Sequence, residues 1–358
     1  MSKPSPTPPS APTPARWWQR VRLDTFLLVI IATAVIATLL PVRGTGVPVM
    51  TWASRVMLAG LFFFYGVRIE RREALAGLRH WRLHTVILGC TYLVFPAIGL
   101  ALAWLVPAVL SPDLYRGVLW ICIVPGTVQS AINFTSLARG NVAGAIVASS
   151  ISNLVGVVLT PLLAMAVMST TGLHISARSI LDIALQVLAP FLLGQAVRGW
   201  LIGFVSAHPK LRHFDQLTLV LVVYLAFSSG MREGVWQRIG ALEILAIVVV
   251  SLVVLATMLW FTWMIAGRLG FCRRDQIAIQ FSGTKKSLTT GVPMAAVMFP
   301  AGILGIIVLP LMVFHQAQLM ACSALAGRYA RRDEAWHDAP GRLRSGESDR
   351  SVEDATAT

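Results

Sequence analysis

Ten runs of about twenty residues, almost free of charge, limit what this chain can fold into more than any other feature. They lie near 23–41, 48–67, 84–106, 117–137, 142–168, 180–203, 214–230, 241–266, 276–298 and 302–326. A helix rises about 1.5 Å per residue, so each run approaches the length that a ~30 Å hydrocarbon core demands. Backbone donors and acceptors find no water there, and runs of this length satisfy them internally only as helices. The expected fold class is therefore an all-α integral membrane protein with ten transmembrane helices. Of the 358 residues, 56% are hydrophobic and 13% are charged, and the charged share is about half that of a soluble domain. The formal charge of +14 could signal nucleic-acid binding. The arginines flank apolar runs instead of gathering on a soluble domain, so the bilayer is the expected partner and nucleic acid is not. The four cysteines show no CxxC or zinc-like spacing, so neither a disulfide nor a metal is expected.

Residues 1–22 form a Pro/Ser/Thr-rich arm that cannot bury a core, and a disordered cytoplasmic arm is expected there. A disordered cytoplasmic tail is expected over 333–358 for the same reason. The first run is too long for a signal-peptide core and follows a polar arm, so it reads as a retained helix. With the N-terminus in the cytoplasm, the inner loops collect Arg16, Arg20, Arg22, Arg68, Arg71, Arg72, Arg79, Arg82, Arg139, Lys210, Arg212, Arg268, Arg273, Arg274, Arg328, Arg331 and Arg332. The outer loops hold only Arg43, Arg116, Arg178, Arg232 and Arg238. This asymmetry implies that both termini are cytoplasmic.

The chain also repeats weakly. Leu23–Ile30 matches Leu181–Leu188, Gly126–Ser130 matches Gly283–Ser287, and Tyr65 is echoed by Tyr224, all at offsets of 157 to 159 residues. That offset spans five helices, and an odd number of crossings forces the two halves into opposite orientations. Residues 23–168 and 180–326 are thus expected to be inverted five-helix repeats.

In such carriers the site lies where helices break near the midplane. In the fourth run, Pro125 removes a donor and Gly126 loosens the turn, ahead of Gln129, Ser130 and Asn133. In the ninth, Ser282, Thr284, Lys285, Lys286 and Ser287 make the most polar stretch of any run, with Gly283, Gly291 and Pro293 as breakers. An ammonium at the midplane costs roughly 3 kcal/mol or more on insertion scales. Runs four, five, nine and ten hold no acid to offset it. The lysines then imply an anionic substrate, an amine standing in for a bound cation, or one that exchanges protons; snorkelling to an interface is the plainer alternative. Successive helical residues point about 100° apart, so both lysines are not expected at one site. Ser149 and Asn153 belong to a dense polar cluster with Ser150 and Ser152, and Thr91, His315 and Gln316 (with Gln318 beside them) are further candidates. Isolated groups of this kind also serve as helix–helix glue. Asp24 and Asp182 start their runs and read as caps. Walker, GxSxG and HExxH motifs are missing, so an enzyme is not expected.

The run Pro125–Leu163, then Gln280–Ala295 and Leu309–Met320, resembles the bile acid:sodium symporter family. The likeness is greatest to the bacterial branch called sodium bile acid symporter family-like, which is similar to the orphan animal member of that solute carrier family. The resemblance runs from Arg22 to about Arg332. It implies a panel formed by runs one, two, six and seven, a core formed by the rest with crossing fourth and ninth helices, and alternating access of one against the other. It further implies sodium contacts around Gln129, Ser130 and Asn133, at Ser149, and near Thr91. One departure stands out. Sodium-binding members carry an acid followed by a Gln–Asn pair in the ninth helix, where this chain has Ser282 and then Lys285, Lys286 and Ser287. A cation beside an ammonium is repelled, so one lysine is expected to replace sodium, and no other cofactor is implied. The expectation is a secondary transporter of an organic anion, bile-acid-like or another carboxylate or conjugate, in a bacterial inner membrane. The alternative is a membrane regulator or scaffold that transports nothing. Alkaline phosphatase fused after Arg43 or Arg178 should be active in the periplasm, and inactive after Arg79 or Arg212; the opposite pattern would invert the topology.

Overall fold

The structure is a computed structural model and describes residues 25–68, 80–168, 177–234 and 240–337. The expected N-terminal arm, Asp24, and the tail from 338 onward lie outside the described residues. Every described element is helical or irregular, with no strand among the described residues. The helices are α1 (Thr25–Leu39), α2 (Gly46–Arg68), α3 (Trp81–Leu105), α4 (Pro112–Ile123), α5 (Val128–Leu137), α6 (Val142–Met168), α7 (Ala177–Ala207), α8 (Leu211–Arg232), α9 (Ala241–Arg268), α10 (Arg273–Thr284), α11 (Leu288–Met298) and α12 (Ala301–His337). All ten apolar runs are found in these helices, yet seven helices are long and apolar enough to cross a bilayer, or eight with the bent pair α4 and α5 as one span. The shortfall has two sources. Helix α1 has 15 described residues, and the ninth run is divided into helices of 12 and 11 residues by a polar segment. Helix α12 continues to His337, past the point where the disordered tail was expected to begin.

The apolar residues sort by what they touch. Leu192, Leu193, Trp200 and Phe204 on α7 and Leu242, Leu245, Val249 and Trp260 on α9 are exposed, which fits a surface facing lipid and not water. Inside, Trp120, Phe95, Phe299, Phe314 and Ile307 belong to one continuous core drawn from both halves of the chain. Trp120 is fully buried; its indole donates to the Gly291 carbonyl at 3.1 Å and meets Phe299 edge-on at 5.3 Å. That bond satisfies the one polar atom of a large apolar side chain.

Helix α2 packs chiefly on α7 and α1 chiefly on α8, α3 to α6 and α9 to α12 pack on one another, and α8 joins the two sets by packing on α12 as extensively as on α1. The α2–α7 crossing depends on a reciprocal pair of glycines. A Cβ on Gly66 would sit 2.1 Å from the Phe191 carbonyl oxygen, and one on Gly194 would sit 2.1 Å from the Phe63 oxygen. Backbone this close admits no side chain, as at small-residue crossings in membranes generally. Gly66→Ala or Gly194→Ala should therefore cost about 1–3 kcal/mol, read as a lowered unfolding temperature in detergent. Gly203→Ala, on the open side of α7, should change little, because nothing lies within 4 Å of its Cβ position.

Candidate functional site

The site forms where two broken helices cross. Helix α4 stops at Ile123 because Val124 precedes proline and is extended, at φ −72° and ψ 153°. The chain re-enters a helix at Val128 after the extended Thr127, and α4 and α5 are bent by 60°. The second break falls between Thr284 and Leu288, with Lys285 extended at φ −80° and ψ 147°. Ser287 caps α11, its hydroxyl accepting the Thr290 N–H at 3.2 Å.

This corrects the sequence-based placement of the second break. Gly283 lies in the last turn of α10, and Gly291 and Pro293 lie inside α11. Pro293 is tolerated there because the carbonyl it leaves without a ladder partner, that of Thr289, accepts the Tyr65 hydroxyl at 3.3 Å. Gly291 serves packing: a Cβ would lie 2.7 Å from Leu311 Cδ2. Pro125 and Gly126 do lie at the first break.

The two breaks are tied to each other. The Ser287 N–H donates to the Pro125 carbonyl at 2.9 Å, and the Thr127 hydroxyl donates to the Lys286 carbonyl at 2.9 Å. Gln318 of α12 brackets the Lys286 peptide, accepting its N–H at 2.9 Å and donating to its carbonyl at 2.7 Å. From α6, Asn153 donates to the Gly126 carbonyl at 3.0 Å and to Ser149 O at 3.0 Å, and accepts from the Thr290 hydroxyl at 3.5 Å.

Lys286 fills the space behind the crossing. Its ammonium donates to the carbonyls of Thr91, Cys122 and Val124, each at 3.0 Å, and lies 4.1 Å from the centre of the Phe95 ring. All three carbonyls are orphans by sequence. Cys90–Val94 is a π-turn in which the Phe95 N–H bonds Cys90 O, so the next acceptor, Thr91 O, would need the N–H that Pro96 lacks. Cys122 and Val124 stand at the C-terminal end of α4, where a helix leaves its carbonyls unpaired and carries partial negative charge. One ammonium with three donors answers all of them. Lys285 points elsewhere: it is fully buried, lies 4.0 Å over the Phe134 ring, and has the Cys322 thiol as its only polar neighbour among the described residues.

On the open side of the crossing lies a cavity of about 1360 Å³. Gln129, Ser130, Asn133, Ser287, Asn153 and His315 line it, as do Thr127, Thr289 and Thr290. Gln129 and Asn133 are joined at 3.1 Å, and His315 Nδ1 meets Gln318 Nε2 at 3.0 Å. The other sequence candidates are not on its wall. The Thr91 hydroxyl turns back to Ile87 O at 2.8 Å, so that residue contributes only its carbonyl, to Lys286. Ser149 is buried, Ser282 Oγ is buried without a partner, and the Thr284 hydroxyl meets that of Thr262 at 3.2 Å. Gln316 is not on the wall either, and both polar atoms of its amide are buried without a hydrogen-bond partner, while Gln318 holds the Lys286 peptide instead of lining the cavity. Helical phase held that signal, since Gln318 lies three residues from His315 and shares its face.

Sequence reasoning missed the cations of the cavity. Arg68, Arg328 and Arg331 line it together with Tyr65, and no aspartate or glutamate among the described residues does. Arg68 is paired with Asp215 of α8 and reaches Leu211 O at 3.3 Å, which holds it in place. Arg328 and Arg331 make no ion pair among the described residues. Their spacing of three on α12 puts both on one face, a pattern that was legible but was read only as topology signalling.

The model of the SBF-like CPA transporter family matches residues 24–331. A Pseudomonas aeruginosa protein, "Uncharacterized protein PA2026", is 46% identical over 311 residues, covering 86% of this chain and 93% of its own. "Putative symporter YfeH" of Escherichia coli K12 is 44% identical over 313 residues, covering 87% and 94%. "Sodium/bile acid cotransporter 7" of Danio rerio is 27% identical over 314 residues, covering 86% and 93%. With a family match over nearly all the described residues and relatives of this length and identity, the chain belongs to the SBF-like CPA transporter family.

Proposed function

We propose that this chain is a secondary active transporter of an organic anion, and that Lys286 holds the place of a coupling sodium. The observation that carries the reading is the charge of the cavity: three arginines, a ring of hydroxyls and amides, apolar stretches such as Phe26, Leu137 and Leu319, and no carboxylate among the described residues. A cation would enter that field uphill, whereas an amphipathic anion matches both its charge and its apolar walls. The N-terminal ends of α5 and α11 also face the cavity through Val128, Gln129, Leu288 and Thr289, and their unpaired N–H groups favour negative charge.

Sodium does not fit beside Lys286. A site for it would need oxygen ligands, and the carbonyls of Thr91, Cys122 and Val124 are already taken by the ammonium. An added cation would meet repulsion with no carboxylate to offset it. In this reading the built-in cation performs the structural part of sodium's task and does not leave.

The working cycle follows from the packing groups. We read the chain as ten spans in two inverted halves, 23–168 and 180–326, with α1, α2, α7 and α8 as a panel and the remaining helices as a core. The near-equal spacing of the two breaks and their mutual hydrogen bonds support this reading. Tyr65 touches Thr289 across the cavity, and at the far end Glu233 of the panel presses on Gly302 of α12, where a Cβ would lie 1.7 Å from the carboxylate. The cavity mouth is on the side of Arg68, Arg328 and Arg331, the cytoplasmic side by the arginine distribution, so the chain is inward-facing in an inner membrane. Alternation requires the Tyr65–Thr289 contact to tighten as the Glu233–Gly302 contact parts.

Uptake of labelled organic anions into proteoliposomes, at two pH values with sodium or choline as the only external cation, tests the proposal. Uptake should proceed equally well in choline. Lys286→Gln should lower it by an order of magnitude or more, because the loss leaves buried carbonyls unpaired at about 1–3 kcal/mol each. Sodium-dependent uptake, or unchanged uptake in Lys286→Gln with tight sodium binding, would sink the lysine-for-sodium reading.

A further inference from the structure

The adjacent lysines make different bonds. Lys286 has every N–H on a carbonyl, whereas Lys285 Nζ has no oxygen or nitrogen partner among the described residues although its side chain is fully buried. The Cys322 thiol is its polar neighbour and only a weak acceptor. A buried amine with unused donors is costly, and natural structures keep one where another state supplies the partner. Phe134 stands between Lys285 and the cavity. The Lys285 ammonium lies 4.0 Å over the Phe134 ring, and Phe134 lines the cavity. Ser130, Asn133, Phe134 and Leu137 follow the i, i+3, i+4, i+7 pattern that turns one face of α5 to the cavity. One turn before the ring, Ser130 Oγ is also buried and unpartnered. Two groups without oxygen or nitrogen partners thus lie on either side of the Phe134 ring along α5 and the second break, and the ring itself packs on Phe281 at 6.1 Å between centroids.

We infer that Lys285 is the counter-charge for the cargo's anionic group, that Phe134 covers it while the cavity is empty, and that the anion displaces the ring to bond Lys285 and Ser130. This rests on the transport reading above and gives the two lysines separate tasks: Lys286 holds the crossing, and Lys285 receives the cargo. In the empty state the ring supplies a cation–π contact, whereas a carboxylate or sulfonate supplies charge-assisted hydrogen bonds to donors that the ring leaves unused. The exchange therefore gains bonds in the loaded state.

The test uses the full chain in proteoliposomes and trinitrobenzenesulfonate, an organic sulfonate whose aromatic carbon is attacked by an amine with loss of sulfite. Mass spectrometry then reads label on each lysine. Phe134→Ala should raise labelling of Lys285 roughly tenfold over the unsubstituted chain while Lys286 stays unlabelled, since only a local opening is involved. Phe134→Leu, which removes the ring but keeps an apolar side chain, should behave alike and guards against misfolding of the alanine variant. Equal labelling of both lysines, or none at Lys285 in either variant, would overturn the inference. With any anion that the unsubstituted chain transports, Lys285→Met should raise KM about tenfold or more and Lys285→Arg should restore part of it; an unchanged KM in Lys285→Met also overturns it. If no anion is taken up at all, the transport reading fails by itself, and the labelling contrast still decides whether the ring guards Lys285 from an anion.

Discussion

Everything at the centre of this protein depends on the requirement that a backbone carbonyl in hydrocarbon must find a donor. Breaking α4 at Val124–Pro125 leaves the carbonyls of Cys122 and Val124 without partners, and Pro96 leaves that of Thr91 without one. Three acceptors from two helices converge, and the ammonium from the extended segment between α10 and α11 meets them. Lys286 is therefore neither a surface charge nor a defect in an apolar run. It pairs the carbonyls left open where α4 stops, and the cavity lies beside that break.

From that point the site assembles outward. The peptide of Lys286 is held by Thr127 and Gln318, that of Pro125 by Ser287, and that of Gly126 by Asn153. These bonds satisfy the unwound backbone and also aim the starts of α5 and α11 at one space. The positive field in that space has two origins, the helix starts and the arginines of α2 and α12. Arg68 is fixed by Asp215 on a neighbouring helix, so its charge is positioned by α2 and α8, whereas Arg328 and Arg331 come from α12.

Much of the candidate site was legible, but not in its details. Pro125 and Gly126 marked the first break correctly, because proline restricts its predecessor whatever surrounds it. The second break was placed by the same logic on Gly283, Gly291 and Pro293, and there the logic misled. Pro293 is absorbed in α11 by a bond from Tyr65, and Gly291 is present for contact with Leu311. Both partners come from distant helices, so nothing local announces them. Thr91 was named for its hydroxyl and matters through its carbonyl; Gln316 was named where Gln318 acts. Ten apolar runs were counted, and seven or eight of the described helices meet the requirement of length and apolarity, since a run divided by Lys285–Ser287 is no longer a single helix.

The sequence by itself determined the class of fold, the helices, the arginine asymmetry and the two polar interruptions. Each of these depends on local quantities: length against bilayer thickness, side-chain transfer energy, and the missing N–H of proline. Only the tertiary structure decided what the interruptions do. Adjacent lysines on one extended segment are equivalent in composition, yet one finds three carbonyls and the other finds an aromatic ring. That difference comes from which helices pass on either side, and residues more than a hundred positions apart in the chain settle it.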